Sequence, residues 1–297
     1  PSIEGLEQIA EAAYGGDEPA DSSGTMRYVR IEYAGVEIAP NNELNGLTLG
    51  GVGTGTTIDF IQVRGALDDC FEFFGGTVNA KHLICQHNED DGIDWDLGWR
   101  GSVQYAVVQQ KPDPIEDDEA NGIEADGESD ADDPDPSFGR VHNLTLIGRG
   151  PDDQGTLPQI GMVFRERTRA EIRNAIVYGF EVGYDVREND GMADFTLEGV
   201  VFQGNPMLVE PLDDDNDDGF DERSFFENGS GNRFVDGSIF AGDPFDANDP
   251  GFFPATSLTE GAFTTAAGGF IEPASYIGAF EDADDRWDQP WAVWSDE

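Results

Sequence analysis

Lysine is almost missing from this chain. Lys81 and Lys111 are the only two in 297 residues, and the other basic side chains are all arginine. Against 62 acidic residues the 16 basic ones leave a net charge of −46. Such a surface repels nucleic acid and anionic membrane, which argues against both as partners. Histidine occurs only at 82, 87 and 142, cysteine only at 70 and 85, and no Cys-x-x-Cys pair exists, which argues against a zinc centre. No run reaches the about 18 apolar residues of a membrane-spanning helix. No leader pattern is in view either, and a chain that opens on Pro1 is expected to be a mature or trimmed product. The acidity suits two settings, a high-salt (halophilic or marine) medium that screens self-repulsion and a calcium-rich exterior whose cations carboxylates bind.

What is present is a repeat. A six-residue pattern, apolar-x-x-apolar-x-apolar, recurs at Met26/Val29/Ile31, Ile58/Ile61/Val63, Ala80/Leu83/Cys85, Val103/Ala106/Val108, Val141/Leu144/Leu146 and Ile172/Ala175/Val177. Weaker copies follow at Leu197/Val200/Phe202 and Phe234/Gly237/Ile239. Between them lies a second pattern, polar-Gly-apolar-x-apolar: Asn45–Leu49, Asp91–Trp95, Asn121–Ala125, and Asp69–Phe73 with Cys70 in the glycine place. Each copy is strand-sized, and apolar-x-apolar spacing puts two side chains on one face of a strand. Glycine supplies the tight turn ahead of the second pattern. No unit can bury its own apolar face, whereas stacked units bury a continuous core. The compact copies are 22 and 23 residues apart, which suits the coil of a right-handed parallel β-helix. The predicted fold is therefore all-β, a solenoid with acidic loop insertions and a less regular C-terminal cap.

The predicted boundaries follow from where the repeat starts and fades. Residues 1–24 form a lead-in, where Ile3, Leu6, Ile9, Ala10 and Ala13 have the spacing of a short capping helix, or Glu4-Gly5-Leu6 is a degenerate earlier turn. The β-helix spans 25–241, with an acidic, proline-broken insertion at 111–137 and a second at 210–232, the densest acidic run. Residues 242–297 form an irregular cap whose Trp287, Trp291 and Trp294 are expected to cover the last coil. Cys85 occupies an inward position and reads as a buried free thiol, and the repeat does not put Cys70 in its column. A disulfide between them remains open for a protein outside the cell. His82 and His87 read as surface residues.

Two acidic constellations carry chemistry. Asp214, Asn216 and Asp218, followed by Gly219, Phe220 and Glu222, reproduce the front half of an EF-hand-type loop, with Phe220 offering its carbonyl. Its twelfth position is Phe225 rather than an acid, and Glu227 is the nearest substitute. The second constellation comes from stacking the second pattern in register. Thr48, Glu72, Asp94 and Glu124 then form an outward column, widened by Asp96 and Asp126 and edged by Asp69 and Asp91. Carboxylates on strands about 4.8 Å apart repel, so a proton or a cation must sit among them. Ca2+ is the expected ion at both places. Glu72, Asp94, Asp96 and Glu124 are also the catalytic candidates of an enzyme reading. A hydrolase would pair carboxylates such as Asp94 with Asp96 or Asp91 with Glu124, and a lyase would need a base that neither lysine obviously supplies.

The segments Gly24–Glu32, Leu44–Gly53, Glu72–Ala80 and Asp91–Trp95, with Tyr276–Phe280 and the trailing tryptophans, resemble a group of bacterial secreted or lipid-anchored proteins. These are right-handed β-helices of the pectin-lyase-like type, mostly without assigned activity. The resemblance implies an extracellular or outer cell-surface location and carries over no catalytic residue. Asn88–Ile93 is loosely similar to the paired-Asp strand of polygalacturonases, but the Gly-His-Gly and Arg-Ile-Lys motifs expected after it are missing. The expected function is a calcium-binding scaffold of the cell surface or matrix with a polysaccharide partner. A calcium-dependent polysaccharide lyase or glycosidase on the same face, and a structural subunit that self-assembles or joins other chains, are the alternatives.

Overall fold

A computed structural model describes residues 10–36, 44–112, 120–127, 136–150, 158–188, 194–204, 206–208, 219–264 and 269–295. After a short 3-10 turn at Ala10–Ala12, long and short strands alternate: β1 (Thr25–Glu32), β2 (Leu47–Gly50), β3 (Thr57–Arg64), β4 (Phe71–Phe74), β5 (Asn79–Gln86), β6 (Ile93–Asp96), β7 (Ser102–Gln109) and β8 (Ile123–Asp126). The alternation continues through β9 (Phe138–Ile147), β10 (Met162–Arg165), β11 (Arg169–Tyr178), β12 (Asp185–Val186), β13 (Asp194–Glu198) and β14 (Val201–Gln203). A helix, α1 (Glu222–Asn228), and β15 (Arg233–Val235) follow. The long strands stack as a nine-stranded sheet, β1-β3-β5-β7-β9-β11-β14-β15 with β13 also on β11, and the short ones as a six-stranded sheet, β2-β4-β6-β8-β10-β12. Every pairing between these strands is parallel. The repeat therefore builds the parallel β-helix expected from it.

The six-residue pattern turns out to contain a corner. Its third position is left-handed in coil after coil: Tyr28 (φ 56), Phe60 (φ 57), His82 (φ 51), Tyr105 (φ 62), Asn143 (φ 56) and Asn174 (φ 57). Gly199 (φ 65) takes the same place between β13 and β14. Each long strand is thus two straight runs joined by one residue. Left-handed backbone costs a residue with a Cβ roughly 1–2 kcal/mol. Asparagine tolerates it well, and the rings offset it by stacking, Tyr28 on Phe60 at 4.6 Å, Phe60 on His82 at 4.1 Å and His82 on Tyr105 at 5.2 Å. His82 is therefore not the surface histidine expected, since it is half-buried in this stack with Nδ1 2.7 Å from Asp59 Oδ1.

The apolar core fills the space between the sheets, from Ile61, Phe71 and Phe73 through Trp95, Trp99 and Met162 to Phe202, all at most 1% exposed. The glycines of the second pattern are required by close approach rather than by unusual backbone. A Cβ on Gly46 would lie 2.3 Å from Val63 Cγ1, one on Gly92 2.5 Å from Val108 Cγ1, and one on Gly161 2.8 Å from Val177 Cγ1. In each coil the turn position faces the last apolar residue of the six-residue pattern. In one coil those two facing residues are Cys70 and Cys85, and they form a disulfide with Cα atoms 5.6 Å apart. The free-thiol reading of Cys85 is corrected accordingly, because the two cysteines sit in different columns that oppose each other across the coil.

The tryptophans correct a second expectation. They do not cover the last coil but lie along the outer face of the long sheet toward its first strands. Trp291 meets Tyr28 and Phe60 edge-on at 6.3 and 5.8 Å, and Trp287 lies 5.1 Å from His82. The C-terminal segment runs over that face as a strap. Gln62, Gln104 and Asn174 each grip one strap residue at two points, with the side-chain amide donating to and accepting from the backbone of Val293, Glu272 and Phe263 (2.7–3.0 Å). Beneath it lie the outward side chains Val107, Ile147, Ile176 and Val201, buried with Phe252, Ile277 and Phe280 of the strap.

Candidate metal centre

The short strands put the predicted acidic column in register. Thr48 pairs with Glu72, Glu72 with Asp94, Asp94 with Glu124, Glu124 with Val163 and Val163 with Asp185. The flanking Phe71, Phe73, Ile93, Trp95, Ile123 and Ala125 are at most 1% exposed, so the column faces away from the core. It is nevertheless sheltered, with Glu72 3% and Asp94 9% exposed. The last members of the column follow Gly161 and Gly183, copies of the second pattern in which Ile160 and Val182 stand where the pattern has a polar residue.

Asp69, Glu72 and Asp94 converge, each offering a carboxylate oxygen within 4.8 Å of the other two. A second triad, Asp68, Asp69 and Asp90, shares Asp69 and meets the same distance condition. Sequence reasoning missed Asp68 and Asp90, although both stand directly beside predicted residues. The carboxylates of this face also have structural tasks. Asp69 Oδ1 accepts the Asp91 N–H at 2.9 Å and Asp91 Oδ1 accepts the Asn121 N–H at 2.6 Å, so each turn is tied to the next. Asn45 donates to Glu72. Glu124 and Asp126 are held by Arg165, at 3.0 Å to the first and 2.6 and 2.8 Å to the second. Asp96 accepts the N–H of Leu97 at the strand end.

One atom in the centre is left over. Asp94 Oδ1 is buried and has no hydrogen-bond partner among the described residues. Burial pushes the Asp94 carboxyl well above its ordinary range, and Glu72 and Glu124 push it further by repulsion. Asp69 is raised by burial and then by Asp94 and Asp91, and Asp91 by burial and then by Glu124. An unpaired buried charge is expensive, so these groups must either hold protons or share a cation. The donors are all hard oxygens, with no thiolate or imidazole among them, which fits Ca2+ or Mg2+ rather than zinc.

The EF-hand-like loop is only partly visible. Asp214, Asn216 and Asp218 lie outside the described residues. Phe220 packs 5.6 and 5.4 Å from the rings of Phe195 and Phe225, and Glu222 opens α1 with 3% exposure. Asp221 caps that helix, accepting the Ser224 N–H at 2.8 Å.

The sequence model described as "pectate-lyase like beta helix domain" matches residues 2–221, which contain both sheets apart from β15 and the whole acidic column. The chain belongs to that family. Comparison with curated proteins and with solved structures returns no match. Within this pectate-lyase-like β-helix the acidic column occupies the outer face of the six-stranded sheet, and the strap covers the outer face of the nine-stranded one. None of the described helices is long and apolar enough to cross a membrane.

Proposed function

We propose that this β-helix is a calcium-binding scaffold of the cell exterior, with the cation seated among Asp69, Glu72 and Asp94. The observation that carries the reading is the buried, partnerless Asp94 Oδ1 within a triad whose oxygens already lie within 4.8 Å of one another. A cation would supply that partner and cancel the repulsion. Its remaining coordination positions would be open to carboxylates or hydroxyls of a matrix polysaccharide, since Ca2+ takes 6–8 oxygen ligands, about twice what the triad offers. The Cys70–Cys85 disulfide supports an oxidising location.

A catalytic role on this face has less support. Arg165, beside Glu124 of the column, is held by Asp126 and Glu124, and its pKa is raised despite the opposing effect of burial. It is therefore no base. The closest oxygens of the three converging carboxylates lie within 4.8 Å of one another, short of the ~6.5–9.5 Å of an inverting glycosidase and nearer the ~5–5.5 Å of a retaining one.

Thermal unfolding of chelated protein tests the reading. Calcium at about 100 times its dissociation constant would stabilise by about 2.7 kcal/mol, raising Tm by on the order of 5 °C. Asp94→Asn, which keeps the shape and removes the charge, is expected to lose most of that response. An unchanged Tm with and without chelator in low salt would sink the proposal.

A further inference from the structure

The outer face of the long sheet carries a second column, Arg64, Gln86, Gln109, Ile147, Tyr178 and Gln203, one residue per coil. The strap crosses it. Gln86 Nε2 donates to the carbonyls of Ala247 and Trp294 at 3.0 and 3.3 Å. Gln109 Nε2 donates to those of Pro244 and Asp246 at 3.0 and 3.1 Å. Gln203 is placed the same way and is only 7% exposed. Its Oε1 accepts the Ile239 N–H at 3.2 Å, but its Nε2 finds no protein acceptor among the described residues. That donor is not among the atoms sealed from solvent without a partner, so it faces water, and a ligand that displaces the water must accept from it.

That amide borders a cavity of about 340 Å3 between the strap and β11/β14. One wall is aromatic, the rings of Tyr178 and Phe245 lying 5.0 Å apart and tilted by 42°. Another carries the exposed Asp243, whose Oδ1 fixes the loop by accepting the Phe245 N–H at 3.0 Å, and the hydroxyl of Ser238. Gly237 completes it in left-handed backbone (φ 88), with no atom within 4 Å of where a Cβ would stand, so this wall leaves room.

The volume lies in the ~300–1,000 Å3 range of small-ligand sites. The lining has an amide donor, carboxylate and hydroxyl acceptors and two rings, and no basic residue. An anionic ligand would meet Asp243 with nothing to balance it. An apolar one would leave the Gln203 donor unsatisfied. A polyhydroxylated ring with one carbon–hydrogen face satisfies every element: the face rests on the rings, and the hydroxyls take the Gln203 proton and donate to Asp243. We infer that this cavity is a subsite for a single neutral pyranose, the terminal or branch residue of a glycan. It lies on the opposite sheet from the acidic triad and does not depend on the cation.

The test is saturation-transfer NMR on the full chain with the methyl glycosides of glucose, galactose and mannose. At least one is expected to bind in the millimolar range. Gln203→Glu keeps the oxygen that accepts the Ile239 N–H but replaces the donor by a second acceptor, and is expected to weaken binding at least about tenfold. Ser238→Trp, at an exposed position, fills the cavity and is expected to abolish it, with the melting temperature confirming that both variants fold. Chelator is expected to leave binding unchanged. No transfer from any of the three, or undiminished transfer in both variants, would overturn the inference. So would binding lost on chelation or in Asp94→Asn yet intact in Gln203→Glu, which would move the sugar to the acidic column and leave the cation proposal standing.

Discussion

Asp94 concentrates the electrostatic problem of this protein in one side chain. Burial and the carboxylates of Glu72 and Glu124 raise its pKa, and Asp69 and Asp91 are raised beside it. The folded protein therefore keeps protons that the unfolded chain releases near 3.8. The stability these groups contribute is complete below that value and is lost as pH rises through their higher folded values. Glu171 works the other way, because His142 and Arg173 outweigh its burial, as do Asp221 and Asp246, which accept backbone N–H groups from Ser224 and Asn248. Their contribution disappears in stronger acid. Chelated protein should thus melt at a higher temperature near about pH 5 than near about pH 8, and saturating calcium should flatten that slope. Asp94→Asn without metal should remove part of it. A chelated Tm that rises steadily toward pH 8 would contradict the assignment.

Opposed positions within a coil are the element-scale unit of this fold. Gly46 faces Val63 and Gly92 faces Val108, while Cys70 faces and bonds Cys85. The double change Cys70→Gly with Cys85→Val copies the pairing of the next coil. It should fold while losing about 2–4 kcal/mol of crosslink stabilisation, whereas Cys70→Ser alone should lose more because it buries a hydroxyl against a thiol. Urea unfolding with and without reductant measures both. The pairing is legible in the sequence, because the apolar-x-apolar spacing and the glycine position define two columns, but register within a column does not reveal which positions face each other across a coil. The acidic column at Glu72, Asp94 and Glu124 was legible because parallel stacking preserves register. The strap was not, because its contacts come from single amides at Gln62, Gln104 and Asn174 that have no period of their own. An indirect sign was available. Runs such as Ala106-Val107-Val108 and Ala175-Ile176-Val177 are apolar on both faces, which means a strand covered on both sides.

At the scale of the whole molecule the net charge of −46 is a standing repulsion. The screening length falls from about 10 Å at 0.1 M salt to about 3 Å at 1 M. The Tm of chelated protein should therefore rise with potassium chloride across that range, and the rise should be gradual. Calcium should instead act at concentrations too low to change ionic strength and should saturate. Light scattering of the same samples separates this from self-association, which would make the melting temperature depend on protein concentration. A calcium response no steeper than that of potassium at equal ionic strength would reduce the cation to a screening ion.

The strap also dictates an order of assembly. Neighbouring coils meet across short stretches of chain, as in the Gln86–Gln109 bond across 23 residues, whereas Gln62 waits for Val293, 231 residues later. Chains emerge from the ribosome amino-terminus first. The coils can stack as they appear, but Val107, Ile147, Ile176 and Val201 stay uncovered until Phe252, Ile277 and Phe280 of the strap arrive. The strap is a closing seal, and a chain cut before Phe240 would carry a finished helix with one greasy flank open to its neighbours.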